Sequence, residues 1–148
     1  MELNSEEIIR SIEKKKYFLD FLKEKENGKL THAYAFYSDD KLTLKYLLNL
    51  CAAVVCCSRN GCGICSVCNK IKKNIYAEVM TVSADKIKVD DIEKIKEDIQ
   101  LLPYEGDCKV YILLNAETMN ESAQNKLLKL IEEPVQNAVF LFGVSDEF

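Results

Sequence analysis

Apolar residues fall along this chain in blocks whose period changes from helical to strand-like and back again. From about Ser5 to Lys25, the residues Ile8, Ile9, Ile12, Phe18, Phe21 and Leu22 stand near helical spacing, and Gly28 supplies a stop, which predicts one helix. Ala33 to Tyr37 is short and rich in aromatics, as a strand would be. Leu42 to Val55 is apolar for too long to be a strand and predicts a buried helix. Glu78 to Val82 reads as a second strand. Asp90 is placed to cap a helix whose Ile92, Ile95 and Ile99 share a face, ending before Pro103. Lys109 to Leu114 predicts a buried strand. Asn120 can cap the next helix, with Ala123, Leu127, Leu128 and Ile131 inward and Pro134 past its end, and Val139 to Val144 predicts a last strand.

Strands that alternate with helices of this length require crossover connections, because parallel strands cannot be joined by tight hairpins. The fold class is therefore α/β with a parallel sheet covered on both faces. Ligands of such sheets bind beyond the carboxyl ends of the strands. The loops after Tyr37, Val82, Leu114 and Val144 are the places where chemistry is expected.

One segment interrupts the alternation. Gly61-Cys62-Gly63-Ile64-Cys65-Ser66-Val67-Cys68 places three cysteines at two-residue gaps, with Cys56 and Cys57 just upstream. Tetrahedral Zn²⁺ needs four converging ligands, and a Cys-x-x-Cys turn supplies two thiolates without a long closure loop. The run is also the opening of a bacterial ferredoxin motif, but Lys72 occupies the fourth cysteine position and no proline follows. A structural zinc module at about residues 56–74, inserted after the second predicted helix, is the expectation. Either Cys56 or Cys57 can be the fourth ligand. Cys51 and Cys108 read as small buried hydrophobes. Seven cysteines, an odd number, and an acidic N-terminus unlike a signal peptide speak against a disulfide framework.

The 148 residues are 48% apolar, enough for one domain with its own core. Net charge is −4, and only Arg10 and Arg59 among the 20 basic residues are arginines, so no broad face for nucleic acid is advertised. No apolar run is long enough to span a membrane. A soluble, cytoplasmic chain is expected.

Candidate chemistry at the strand ends is mostly missing. A phosphate loop uses glycines so that successive N–H groups curl around the anion, and lysine reaches the terminal phosphates. The loop after the first strand is Ser38-Asp39-Asp40-Lys41: it has no glycine, two carboxylates stand where phosphates would approach, and Lys41 reads as a solvated helix-start residue. A nucleotidase would place an acidic pair at the end of the Lys109 strand to manage Mg²⁺ and water. Leu114-Asn115 stands there instead. Glu117 reads as a surface charge, and His32, the lone histidine, as a structural residue. No catalytic constellation can be assembled.

Together these residues resemble the delta-prime subunit family of the bacterial DNA polymerase III clamp loader and its ATPase sister, the gamma/tau subunit. The motif-bearing segments span nearly the whole chain: His32-Ala33-Tyr34-Ala35-Phe36, the Cys62 to Cys68 module, Val89-Asp90-Asp91-Ile92 through Leu102-Pro103-Tyr104-Glu105-Gly106, Lys109-Val110-Tyr111-Ile112 with Ala116-Glu117-Thr118-Met119, and Asn125-Lys126-Leu127-Leu128-Lys129-Leu130-Ile131-Glu132-Glu133-Pro134. The resemblance implies a P-loop-type AAA+ domain over residues 1–148 with a degenerate nucleotide site. Loss of both the glycine loop and the acidic pair favours delta-prime, a relative that commonly keeps the fold without binding ATP. The family's upstream zinc cysteine usually lies further ahead of Cys62 than Cys56 and Cys57 do.

What the resemblance implies about role follows from this. The chain would be a non-catalytic scaffold in a machine that loads the sliding clamp on primed DNA, against a gamma/tau ATPase subunit and the delta subunit. Zn²⁺ would be structural, and no ATP would bind. Val144 lies near the family's sensor position; the Ser-Arg-Cys motif, helical lid and collar domain belong downstream of Phe148, so the chain is expected to be part of a longer protein. The alternatives are a divergent gamma/tau-type ATPase domain and a zinc-dependent nucleic-acid-binding module.

Overall fold

A computed structural model describes residues 4–133 and 137–145. In chain order it contains α1 (Ser5–Glu13), α2 (Lys16–Glu26), β1 (Ala33–Tyr37), α3 (Lys41–Cys56), α4 (Ser66–Lys72), β2 (Val79–Val82), α5 (Val89–Ile99), β3 (Lys109–Leu113), a short 3-10 turn (Ala116–Thr118), α6 (Glu121–Glu132) and β4 (Ala138–Val144). The four strands form one parallel sheet in the order β1-β4-β3-β2. This is the α/β class that the alternation predicts.

Side chains of successive strand residues point to opposite faces, and here each face has its own helices. Val110 and Ile112 of β3, with Val139 and Leu141 of β4, meet α1, α2 and α3, where Ile12, Phe21, Leu47, Leu48 and Cys51 are buried. Tyr111 and Leu113, with Ala138 and Phe140, meet α5 and α6 through Ile92, Ile95, Ile99, Ala123 and Leu127. The Tyr111 and Phe140 rings stack across the strands at 5.3 Å. Every residue of β3 is buried. A continuous apolar strand is what a sheet covered on both sides demands.

Several boundaries differ from the sequence reading. The single N-terminal helix is two, because the positions that would continue the stripe after Ile12 are Lys15 and Lys16; Lys15 turns extended (ψ 142), which lets Phe18 and Phe21 join the core independently of Ile8 and Ile12. Gly28 does stop α2, with φ +67, as its N–H reaches Lys25 O (3.1 Å) and the Lys29 N–H reaches Glu24 O (2.8 Å). Asp90 does not cap α5. Lys88 is the capping position, and the Asp91 carboxylate accepts its N–H at 2.9 Å, leaving Asp90 in the first turn. Asn120 caps α6 as expected, accepting from the Ala123 N–H at 2.8 Å. Pro134, the expected residue past that helix, lies outside the described residues. Among the described residues no helix is long and apolar enough to cross a membrane.

Leu141 is fully buried where β1, β3 and α3 converge. Leu128, which the helical spacing placed inward, is instead exposed on the outer side of α6, where only Ala123 and Leu127 are buried. Leu141→Ala should lower unfolding free energy by about 2–5 kcal/mol, whereas Leu128→Ala should change it by roughly 0.5 kcal/mol or less. Urea unfolding checks this, with the midpoint moving and the slope unchanged.

Candidate metal centre and degenerate phosphate loop

The cysteine cluster starts where α3 stops. Cys56 is the last helical residue, and Cys57 caps the helix in an extended conformation (ψ 132) with its N–H still bonded to Ala53 O at 2.9 Å. That change of direction swings the Cys57 sulfur away from the helix. Asn60 (φ +56) and Gly61 (φ +84) then reverse the chain; a Cβ at Gly61 would meet Val54 Cγ2 at 3.2 Å, so glycine serves both the conformation and the close approach. Cys65 begins α4, a helix the sequence reading left inside a loop, and its sulfur accepts from the Cys68 N–H at 3.4 Å.

These turns bring Sγ of Cys57, Cys62, Cys65 and Cys68 within 4.8 Å of one another. The Cys57 sulfur lies 3.7 Å from that of Cys62 and 3.6 Å from that of Cys65. A tetrahedral site with Zn–S bonds of about 2.3 Å has an S···S edge of about 3.8 Å, so the spacing and the all-sulfur donor set fit zinc. Backbone N–H groups also point at the sulfurs, from Arg59 to Cys57 (3.4 Å) and from Gly63 to Cys68 (3.3 Å). Burial pushes the Cys57 thiol up, but N–H groups of Cys62, Arg59 and Gly61 outweigh it and bring it to about 6. Cys62 is lowered chiefly by the Ile64 N–H. Cys68, held mainly by burial, is pushed up to about 12.

Of the two candidates for the fourth position, the structure places Cys57 in the cluster and leaves Cys56 outside it. Cys51 is a fully buried core residue, as expected. Cys108 is not: it is partly exposed and lines a cleft, because it precedes β3 rather than lying within it.

At the opposite end of α3, the loop after β1, where a phosphate site was sought, is held by hydrogen bonds to its own side chains. Asp40 caps the helix, its carboxylate accepting from the Leu42 N–H at 3.0 Å and the Thr43 hydroxyl at 2.7 Å, while Ser38 Oγ accepts from the Asp40 N–H at 3.2 Å. The Thr43 hydroxyl foremost holds the Asp40 carboxyl below its ordinary value. A helix N-terminus attracts anions through unpaired N–H groups and the macrodipole. Here a fixed anion is already seated, Asp39 lies beside it, and Lys41 is exposed.

At the end of β3, Leu114 is half-buried and Asn115 sits in the left-handed region (φ +63), donating from Nδ2 to Ala84 O at 3.1 Å. Glu117 is not the surface charge its position suggested. Its Oε1 accepts from the N–H (3.3 Å) and hydroxyl (2.5 Å) of Ser145, just past β4, and its Oε2 is buried without a partner among the described residues. Burial pushes Glu117 up, yet the Ser145 donors and Lys41 hold it below its usual value. The 3-10 turn, which the sequence reading lacked, folds Glu117 back toward β4. His32 joins the sheet through its carbonyl, which accepts from the Phe140 N–H at 2.8 Å.

The family model described as DNA polymerase III, delta subunit, matches residues 13–147. The chain belongs to that family. Among curated relatives, DNA polymerase III subunit tau of Escherichia coli K12 is 27% identical over 124 residues, covering 80% of this chain and 19% of the relative. DNA polymerase III subunit delta' of Haemophilus influenzae is 31% identical over 116 residues, covering 74% and 36%. Two solved structures share the fold at 18% identity: a gamma subunit-related protein of Thermotoga maritima (TM-score 0.56; 84% of this chain, 38% of that one) and the clamp loader delta protein of Bacillus subtilis (TM-score 0.54; 88% and 36%). The chain thus spans between about a fifth and two fifths of the relatives it matches. Tau-type and delta'-type subunits are both among the relatives the chain matches.

The Asp40 cap yields a prediction. Asp40→Ala should lower the melting temperature, with Asp40→Asn in between because its amide oxygen still accepts. A carboxyl depressed on folding contributes stability above its unfolded pKa of about 3.9, and that contribution is lost as pH falls through the folded pKa. The gap between the native chain and Asp40→Asn, followed by thermal unfolding from about pH 7 to about pH 3, should therefore close toward acid.

Proposed function

We propose that this chain is the AAA+ domain of a delta-prime-type clamp loader subunit, a non-catalytic scaffold that binds no nucleotide. The observation that carries the reading is the Asp40 carboxylate on the N-terminus of α3, in a loop without glycine, where phosphates would have to bind. Leu114 and Asn115 at the end of β3 agree with it, since neither can hold Mg²⁺ as a carboxylate would. The family likeness supports placement in a clamp loader. Within such an assembly, in the cytoplasm, the domain would stand against a gamma/tau-type ATPase and the delta subunit, and act on the sliding clamp and primed DNA through them. Residues 1–148 would form one domain.

The second reading is a divergent gamma/tau-type ATPase domain, favoured by the tau and gamma relatives matched at 27% identity. Thermal unfolding with and without millimolar Mg-ATP separates the two. A ligand at 100 times its dissociation constant adds roughly 2.7 kcal/mol, which for a chain of this length is a shift on the order of 5 °C. The scaffold reading expects no shift beyond that of sulfate at matched ionic strength. A shift of that size with Mg-ATP alone would establish the ATPase reading.

The proposal includes one structural Zn²⁺ on Cys57, Cys62, Cys65 and Cys68, tying the end of α3 to the start of α4. Zinc would supply four bonds to sulfur in place of core contacts that a segment of this length cannot make. Metal analysis should find one equivalent per chain, lost in Cys57→Ser and kept in Cys56→Ser; the reverse pattern would reassign the fourth ligand. In small zinc fingers metal binding supplies roughly 10–16 kcal/mol and is the folding energy itself. This sheet has a core of its own, so Cys65→Ser should remain folded and lose protection only between Cys56 and Asn74, as read by hydrogen exchange.

A further inference from the structure

The parallel sheet has two edges, β1 and β2, and the second borders a groove. The Val110 N–H donates to Glu78 O at 2.8 Å and the Leu114 N–H to Val82 O at 3.0 Å, so the even-numbered residues of this stretch turn their backbone groups toward β3. The odd-numbered ones face outward. Val79 meets its N–H with Tyr76 O at 3.2 Å, but its carbonyl and both backbone groups of Thr81 point away from the sheet with no strand beside them. Edge strands are commonly protected by a charged residue, a proline or a bulge. Val79-Met80-Thr81-Val82 carries none of these.

The groove beside this edge has a volume of about 370 Å³ and is lined by Ile71 of α4, Asn74 just past it, Lys45 of α3, and Val79, Thr81 and Ser83. Lys45 is exposed and makes no ion pair among the described residues. No carboxylate lines the groove. In a chain of net charge −4, its one charge is therefore positive. Lys45 and Ser83 also line a cleft of about 270 Å³ that leads on to Lys41, which puts the ammonium group toward the carboxyl ends of the strands, with Ile71 and Asn74 at the other end of the groove.

We propose that β2 takes up an extended acidic peptide of a partner protein as an added strand, with alternate side chains of the peptide seated in the groove. Peptide N–H and C=O groups bond to the outward groups of Val79 and Thr81, which supplies affinity, and the groove supplies selectivity. Side chains two apart on a strand share a face and stand about 7 Å from one another. An apolar one rests on Ile71 and Val79, and a carboxylate two residues away reaches Lys45. A nucleic-acid strand would call for a basic track with aromatic platforms for its bases. This groove offers a single lysine beside free peptide groups, and an acidic peptide uses both. Docking here is independent of whether the loop after β1 binds nucleotide.

The test adds an acetylated, amidated octapeptide, Thr-Val-Thr-Glu-Thr-Val-Thr-Glu, to the isotope-labelled whole chain at up to millimolar concentration and follows the amide NMR spectrum. The expected result is saturable shifts at Thr81, Ser83 and Lys45. N-methylation of every second peptide residue should abolish binding in one phase and spare it in the other, because only one set of peptide N–H groups faces β2. Lys45→Ala, at an exposed position, should weaken binding roughly two- to five-fold, the range of an exposed ion pair. Absence of saturable shifts, equal response to both phases of N-methylation, or unchanged affinity in Lys45→Ala would overturn the assignment. Shifts confined to Ala35 and Tyr37 would place the peptide on the β1 edge and overturn it as well. An oligothymidylate that moves Thr81, Ser83 and Lys45 where the peptide does not would give the groove to nucleic acid instead.

Discussion

Burial of α3 against the sheet is the constraint on which the rest depends. Leu44, Leu47, Leu48, Cys51, Ala52 and Val54 are all but sealed from solvent, packed on β3, β4 and the N-terminal helices. At about 25 cal/mol per Å² of apolar area, so many buried side chains make this helix the main source of cohesion on its face of the sheet. Gly143 of β4 permits the close approach, since a Cβ there would come within 3.1 Å of Leu48 Cδ1. A helix held this firmly fixes what lies at both its ends. Its N-terminus sits at the carboxyl edge of the sheet, where ligands of parallel sheets bind; its C-terminus delivers Cys57 to the sulfur cluster.

The two ends have opposite chemistry. At the first, the Asp40 carboxylate accepts from the Leu42 N–H and the Thr43 hydroxyl, so a fixed negative charge already stands on the helix N-terminus, where an anion would otherwise be favoured. At the second, the Arg59 and Gly63 N–H groups are aimed at the Cys57 and Cys68 sulfurs, which at Cys57 outweighs burial and favours the thiolate, while at Cys68 burial prevails. At the strand end across from Asp40, Glu117 is half-buried, its Oε1 accepting from the N–H and hydroxyl of Ser145 while its Oε2 has no partner among the described residues.

Much of this was legible in the chain itself. The buried run of Lys109 to Leu113 was readable because a doubly covered strand is nearly continuously apolar, the helix after Asp40 because its apolar run is too long for a strand, and Ala33–Tyr37, a half-exposed edge strand, by its aromatics. That no glycine stands between Tyr37 and Lys45 is a property of the sequence alone; the Asp40 cap on α3 is what the structure adds. The three downstream cysteines declared themselves by spacing. What stayed hidden was whatever depended on where an element stops or turns. Cys56 and Cys57 are adjacent, and only the exit of the chain from α3 separates them. The break at Lys15 was signalled by three consecutive lysines interrupting the apolar stripe, a cue outweighed by the residues on either side. Glu117 and Cys108 were misplaced because each gains its surroundings from an element distant in sequence, β4 for one and α3 for the other.

Under the proposed reading, the first turn of α3 is closed to nucleotide by its own capping carboxylate. Amide NMR spectra of the isotope-labelled chain, titrated with Mg-ATP, address that turn residue by residue. The account predicts that the resonances of Lys41, Leu42 and Thr43 stay in place, with no saturable movement at Leu114 or Asn115. Saturable shifts focused on those five residues would contradict it and show that a phosphate site survives in this loop.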